Sequence, residues 1–194
     1  MTEVEFLDEM RASEALLEGH FILSSGLRSD RYLQCARFLM DARRAERACA
    51  ELAKKVTAVT GDEIDLVFSP AMGGVVIGYE MGRQLGKPSI FFERVEGEFV
   101  LRRGFDLPQN ARCVMVEDVI TTGLSSRECI SAARKYGANV VAGCCLVDRS
   151  AGKADIGVPL VALASLNVPA YEPDNLPDTL KQLPPVKPGS RGLK

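Results

Sequence analysis

The stretch Arg112–Ser126, RCVMVEDVITTGLSS, holds the residues best suited to chemistry. Glu117 and Asp118 are adjacent carboxylates after the apolar run Cys113–Val116, and the hydroxyls of Thr121, Thr122 and Ser125 surround one glycine, Gly123. A buried strand that ends in acids and opens a helix through a Thr/Gly/Ser loop suits a phosphate. N–H groups in the first helical turn lack acceptors, the hydroxyls add donors, and the helix dipole favours an anion there. Ser125 and Glu128 have the S-x-x-E capping-box spacing, which places the helix start at Ser125. Taken piece by piece, an ordinary strand–turn–helix corner with solvated acids reads equally well.

The flanking elements must hold that loop in place. Val4–Glu18 carries Phe6, Leu7, Met10, Ala15, Leu16 and Leu17 at helical spacing, with Gly19 as its stop. His20–Gln34, HFILSSGLRSDRYLQ, reads as a hairpin around a Ser/Gly/Arg/Asp turn. His20, the sole histidine, sits just past a helix stop and suits a structural or substrate-lining role better than catalysis. Asp41 caps a helix expected to reach Thr60, with Ala45, Ala48, Cys49, Leu52, Val56 and Val59 on its apolar stripe.

Ile64–Phe68 is a continuous apolar run of the buried parallel type, followed by the loop Ser69–Gly74 and the almost wholly apolar helix Val75–Leu85. Gly73 and Gly74 allow close approach of a ligand, or simply turn into a helix. Pro88–Glu93 reads as a further strand. Arg94–Leu107, RVEGEFVLRRGFDL, breaks the rhythm and reads as a protruding hairpin or flap, with Arg94, Arg102 and Arg103 free to meet an anion; an ordinary surface hairpin fits as well. Ser125–Tyr136 is a helix ended by Gly137, Asn139–Val147 is a buried strand running into Asp148-Arg149-Ser150, and Pro159–Leu166 is the last strand. From Pro169 the chain is proline-rich and polar, implying irregular structure on the surface and a frayed end at 189–194.

Strands alternating with helices imply an α/β fold, a doubly wound and mostly parallel sheet that binds ligands beyond the carboxyl ends of its strands. The loops after Phe68, Glu93, Val116 and Val147 then share one edge. The 194 residues suffice for a single domain, and 24 basic against 26 acidic residues, net charge −2, give no footprint for nucleic acid or a membrane surface. No apolar run reaches the ~18 residues of a spanning helix. The six cysteines have no C-x-x-C spacing and suit buried small hydrophobes in a reducing cytoplasm. Cys144 and Cys145, neighbours on a strand, point to opposite faces and share no metal. Neither G-x-x-x-x-G-K-[ST] nor G-x-G-x-x-G is present, which sets aside kinase and dinucleotide readings.

VMVEDVITTGLSS resembles the 5-phosphoribosyl-1-pyrophosphate (PRPP) motif of type I phosphoribosyltransferases, matching about thirteen positions in order. GHFILSSGLRSDRYLQ and LVDRS resemble the N-terminal hood and the base-binding strand end of the orotate phosphoribosyltransferases, over residues 14–172. That resemblance implies a hood at 1–40, a mobile flap at 94–107, an irregular tail at 169–194, and a homodimer. It implies transfer of phosphoribose from PRPP to orotate with Mg²⁺, giving orotidine 5′-monophosphate and pyrophosphate in pyrimidine synthesis.

By position, Glu117, Asp118, Val119, Ile120, Thr121, Thr122, Gly123, Leu124 and Ser125 would hold PRPP together with Ala71 and Gly73. Arg94, Arg102 and Arg103 would meet the pyrophosphate, and Glu117 and Asp118 would face the cationic sugar. Thr121, Arg149, Ser25, Gly26 and Tyr32 would contact orotate. No protein metal site is implied, because Mg²⁺ is expected to arrive with PRPP. Three positions depart from the family pattern: the flap has no lysine (Val95 and Glu98 stand at expected sites), Met72 replaces a lysine in the Ser69–Gly74 loop, and Ser24 replaces another beside the base pocket. Arg102 and Arg103 are the candidates to substitute, since a pyrophosphate needs charge more than a titratable amine. A PRPP-sensing regulator and a transferase acting on another base are the competing readings.

Overall fold

A computed structural model describes residues 1–23 and 25–188. The substitution at Ser24 and the frayed end at 189–194 therefore lie outside the described residues.

The core of the fold is a six-stranded sheet in the order β5-β4-β3-β6-β7-β8. β3 (Leu66–Pro70), β4 (Ser89–Val95), β6 (Arg112–Ile120), β7 (Asn139–Asp148) and β8 (Leu160–Ser165) are parallel, and only β5 (Glu98–Leu101) runs antiparallel, paired to β4. Alternation along each strand sends side chains to two cores. Val114, Val116 and Cys144 join α1 (Glu3–Ala12), α3 (Ala42–Thr60) and α4 (Gly73–Leu85) on one face, while Cys113, Met115 and Cys145 join α5 (Leu124–Lys135) on the other. Cys144 and Cys145 thus face opposite ways as expected, and all six cysteines are buried as thiols.

Asp41 caps α3 as its sequence indicates, accepting from the amides of Arg43 (2.9 Å) and Arg44 (3.2 Å). α4 lies unusually close to the sheet because Gly74, Gly78 and Gly82 recur every fourth residue on its inner face. A Cβ at Gly82 would stand 2.8 Å from the Lys87 carbonyl oxygen, and one at Gly74 would stand 3.0 Å from that of Val116.

Several boundaries differ from expectation, each for a local reason. The first helix ends at Ala12, well short of Glu18. Ser13 Oγ donates back to the carbonyls of Glu9 and Met10, Glu14 adopts φ 54°, and Leu16 then pairs with Leu33 in a strand. α1 joins the main core, where Phe6 meets Phe38 edge-on at 5.3 Å; burying Phe6 and Met10 contributes about 1.5–3 kcal/mol each. The hood proper is the hairpin β1 (Leu16–Ile22) and β2 (Arg28–Leu33), followed by the short α2 (Cys35–Leu39). Ser69 and Pro70 belong to β3 and Gly73 and Gly74 to α4, so the loop expected at Ser69–Gly74 shrinks to two residues.

The expected protruding hairpin is instead part of the sheet edge over residues 94–101. Glu96 (φ 51°) and Gly97 (φ 91°) make a two-residue turn that matches the strand twist, and Phe99 is buried against the core. The tail is irregular but anchored. Tyr171 exchanges backbone hydrogen bonds with Arg28 on β2 at 2.8 Å each way, and Val186 bridges His20 and Ile22 on β1 at 2.8 Å each, with a short α6 (Asp178–Lys181) between them.

Candidate active site

The carboxyl ends of β3, β6 and β7 open on one side of the sheet, as a doubly wound topology requires. Glu117 and Asp118 lie within β6, which runs on to Ile120, so the acids stand before the strand end. Glu117 is 8% exposed. Burial, and next the Asp118 carboxylate, push its pKa well above the usual carboxylate range; burial raises Asp118 as well. A pair held this way binds a proton readily and takes up hydroxyl donors or a cation on ionising. Asp118 Oδ1 accepts from the Val119 amide at 2.8 Å, and its carboxylate faces Gly73, where a Cβ would lie 3.4 Å from Oδ1. Gly73 and Asp118 are thus brought together. Ala71 sits at the same edge with its amide donated to Phe92 O (2.8 Å), and Met72 is exposed.

The helix after the acids is capped two residues earlier than its capping-box spacing implies, at Gly123 in place of Ser125. Gly123 is the N-cap at φ 74°, no side chain caps the helix, and a Cβ at Gly123 would stand 2.9 Å from Ile156 Cγ2. The first-turn amides of α5 are therefore left to an incoming anion, with only Leu124 N near Thr122 Oγ1 at 3.4 Å. Arg127 holds the loop from behind, donating to Thr122 O (3.1 Å) and Asp155 O (2.5 Å). Val119 is half-buried and Ile120 is buried, with its carbonyl accepting from Arg149 N at 2.8 Å.

Beside this loop a cavity of about 780 Å³ lies between the hood and the sheet. Ser25 and Tyr32 of the hood and Thr121 and Arg149 of the sheet edge all line it, while Gly26 does not. Arg149 is positioned by the turn after β7. Asp148, 3% exposed, accepts from Ser150 N (2.8 Å), Ser150 Oγ (2.6 Å) and Gly152 N (2.8 Å). Burial draws the Arg149 pKa down from its ordinary value, and its Nε is buried with no acceptor. His20 is outside the cavity lining; its Nδ1 is 3.1 Å from Leu183 O, a structural contact to the tail.

Arg94, Arg102 and Arg103 are not gathered at this cavity. Arg94 pairs with Glu128 of α5 and lies over Phe99, whereas Arg103 forks onto Glu93 (2.8 and 3.0 Å), with Arg102 3.8 Å from the same carboxylate. Two polar lining residues were missed from sequence, Gln34 and Lys187. Gln34 follows directly on the hairpin and was open to inference; Lys187 lies in the tail and had no local signal. No cluster of three or more metal-ligating side chains occurs among the described residues.

A family model for the phosphoribosyl transferase domain matches residues 39–166. Among similar proteins, orotate phosphoribosyltransferases of Maricaulis maris and Erythrobacter litoralis are 57% and 58% identical, covering 100% of both chains and 98% and 99% of this chain and theirs. The crystal structure of an orotate phosphoribosyltransferase from Aeropyrum pernix superposes with a TM-score of 0.67 at 30% identity, covering 82% of this chain and 92% of the other. A strand that delivers two acids to a Thr/Gly/Ser anion loop, roofed by a hairpin hood, and identity of this extent along the whole length lead to one conclusion: the chain belongs to the orotate phosphoribosyltransferases, within the phosphoribosyltransferase family.

Proposed function

We propose that this protein transfers the 5-phosphoribosyl group of PRPP to orotate, releasing pyrophosphate and forming orotidine 5′-monophosphate for pyrimidine synthesis. The observation that carries this reading is the meeting of Thr121, next to the Thr/Gly/Ser loop, with Arg149 and Tyr32 in one cavity, which supports a base lying beside a bound ribose phosphate.

In this reading the open amides of α5 and the hydroxyls of Thr121, Thr122 and Ser125 hold the 5′-phosphate. Glu117 and Asp118 accept the ribose hydroxyls and face C1′ as it becomes cationic. The C1′–O bond breaks with its electron pair leaving on pyrophosphate, and a ring nitrogen of orotate, its proton already lost to solvent, forms the new C1′–N bond. No strong general base is required. Arg94, Arg102 and Arg103 stabilise the departing charge by moving from Glu128 and Glu93 to pyrophosphate, which matches their exposure.

Two adjacent carboxylates with no third ligand among the described residues suit Mg²⁺ arriving on PRPP, since this ion keeps phosphate and water oxygens in its shell. When bound, it supplies neutralisation of the pyrophosphate. The assembly is a homodimer through α4, where Met72, Val76 and Tyr79 present one exposed apolar face. A reducing cytoplasm suits the six buried thiols. No helix among the described residues is long and apolar enough to cross a membrane.

Loss of orotate absorbance with PRPP and Mg²⁺, set against a Glu117→Ala/Asp118→Ala control, tests the proposal. Turnover in the wild type alone supports it. A wild type that binds PRPP and consumes no orotate overturns it and leaves a PRPP sensor.

A further inference from the structure

The wall of the base cavity carries two cationic side chains and, among the described residues, no carboxylate. One is Arg149, whose Nε is buried without an acceptor. The other is Lys187, which comes from the far end of the chain. Lys54 and Lys181 donate to carboxylates one turn away, Glu51 at 2.8 Å and Asp178 at 2.9 Å. Lys187 instead lines the cavity, with no carboxylate beside it among the described residues.

Its position is set by the fold. The preceding residue, Val186, donates its amide to His20 O and accepts from Ile22 N, both at 2.8 Å, so the backbone is locked into the hood strand as a parallel bridge. Leu183 O and buried Leu180 fix the approach. A cavity with two positive charges, no negative one, and the polar groups of Tyr32 and Gln34 selects a planar anion over a neutral base of the same shape.

We propose that Lys187 is a substrate-binding residue that takes the carboxylate of the incoming base, so that the C-terminal tail supplies one wall of the specificity pocket. The proposal rests on the orotate reading above and adds the residue that distinguishes orotate from uracil, which lacks that carboxylate. Because Lys187 reaches the cavity from the solvent side, its ammonium meets the ligand through a charge-assisted bond without having to be buried first.

The test varies orotate at saturating PRPP and Mg²⁺ in the full-length protein carrying Lys187→Met, which keeps an unbranched apolar stem without the charge, or Lys187→Arg. The expected result is a KM for orotate raised roughly tenfold or more by Lys187→Met, with the KM for PRPP unchanged, and restored to within about threefold of the wild type by Lys187→Arg. An unchanged orotate KM in Lys187→Met, beside a wild type that turns over, overturns the proposal alone. Equal rises in both KM values, or loss in Lys187→Arg as large as in Lys187→Met, assign the residue to holding the tail and overturn it too. A wild type inert toward orotate overturns both this and the reading on which it rests.

Discussion

The Arg94 guanidinium is shared between Glu128 on the second turn of α5 and the face of Phe99, whose ring centre lies 4.2 Å from Cζ. Both charged partners are more than two-fifths exposed, so the pair contributes about 0–1 kcal/mol and yields to a stronger anion. Glu128→Gln is expected to lower the KM for PRPP by up to about fivefold, the equivalent of that energy. Arg94→Ala should instead lower kcat/KM by roughly a hundredfold or more, as loss of a transition-state stabiliser does. Steady-state kinetics on the two variants checks both directions.

Arg102 and Arg103 face the same Glu93 and are exposed. Replacing both with alanine is expected to leave the melting temperature almost unchanged, while kcat/KM for PRPP falls at least about tenfold. Unaltered turnover would show that pyrophosphate leaves without them.

Glu117 titrates above its ordinary range because burial and Asp118 disfavour its charge. A raised acid contributes its stability below the usual carboxylate range and loses it as pH climbs toward the raised value. The unliganded protein should therefore weaken with rising pH across that window, by up to about 1.4 kcal/mol per pH unit, and Glu117→Gln should flatten the slope. If PRPP with Mg²⁺ engages the ionised pair, as proposed above, its affinity should rise over the same window. Thermal melts at several pH values, with and without ligand, check both signs.

Helix propensity alone says that alanine at an α4 glycine gains about 1 kcal/mol. At Gly82 a Cβ would stand 2.8 Å from the Lys87 carbonyl oxygen and 2.9 Å from Ser89 Cβ, neither of which can rotate away, so overpacking of about 1–3 kcal/mol should win. Gly78→Ala meets chiefly Ser69 Oγ at 2.8 Å, a rotatable group, and should be milder. Chemical denaturation ranks the two.

Tyr79 is 70% exposed on the outer face of α4, beside Val76 and Met72. If this face pairs two copies, Tyr79→Glu should shift sedimentation from dimer to monomer and leave the far-ultraviolet circular dichroism unchanged.

The parallel strands, the Thr/Gly/Ser loop between β6 and α5, and four of the five residues expected beside a base, which line one cavity, were legible because each depends on short-range pattern: buried runs such as Asn139–Val147 and the ordered string around Gly123. Local ambiguity explains the errors nearby. Ala15-Leu16-Leu17 suits the end of a helix or the start of a strand, and only Glu14 at φ 54° and the Leu16–Leu33 pairing decide it. Ser125 and Glu128 have capping-box spacing, yet the left-handed Gly123 starts the helix and Glu128 turns to Arg94. The remainder was invisible for a different reason. Lys187 acquires meaning only through a bridge to residues more than 160 positions earlier, and no periodicity records such a contact.

A two-stranded ribbon is marginal in water by itself. Here the tail staples both strands of the hood, at Arg28 through Tyr171 and at Phe21 through Val186. The hairpin is thus completed by Tyr171 and Val186, which follow it only after the whole sheet has intervened. The parallel sheet has all its strands by Ser165, whereas the cavity beside it gains the wall at Lys187 and Pro188 only when the tail has docked on the hairpin, so closing that cavity is a step separable from forming the sheet.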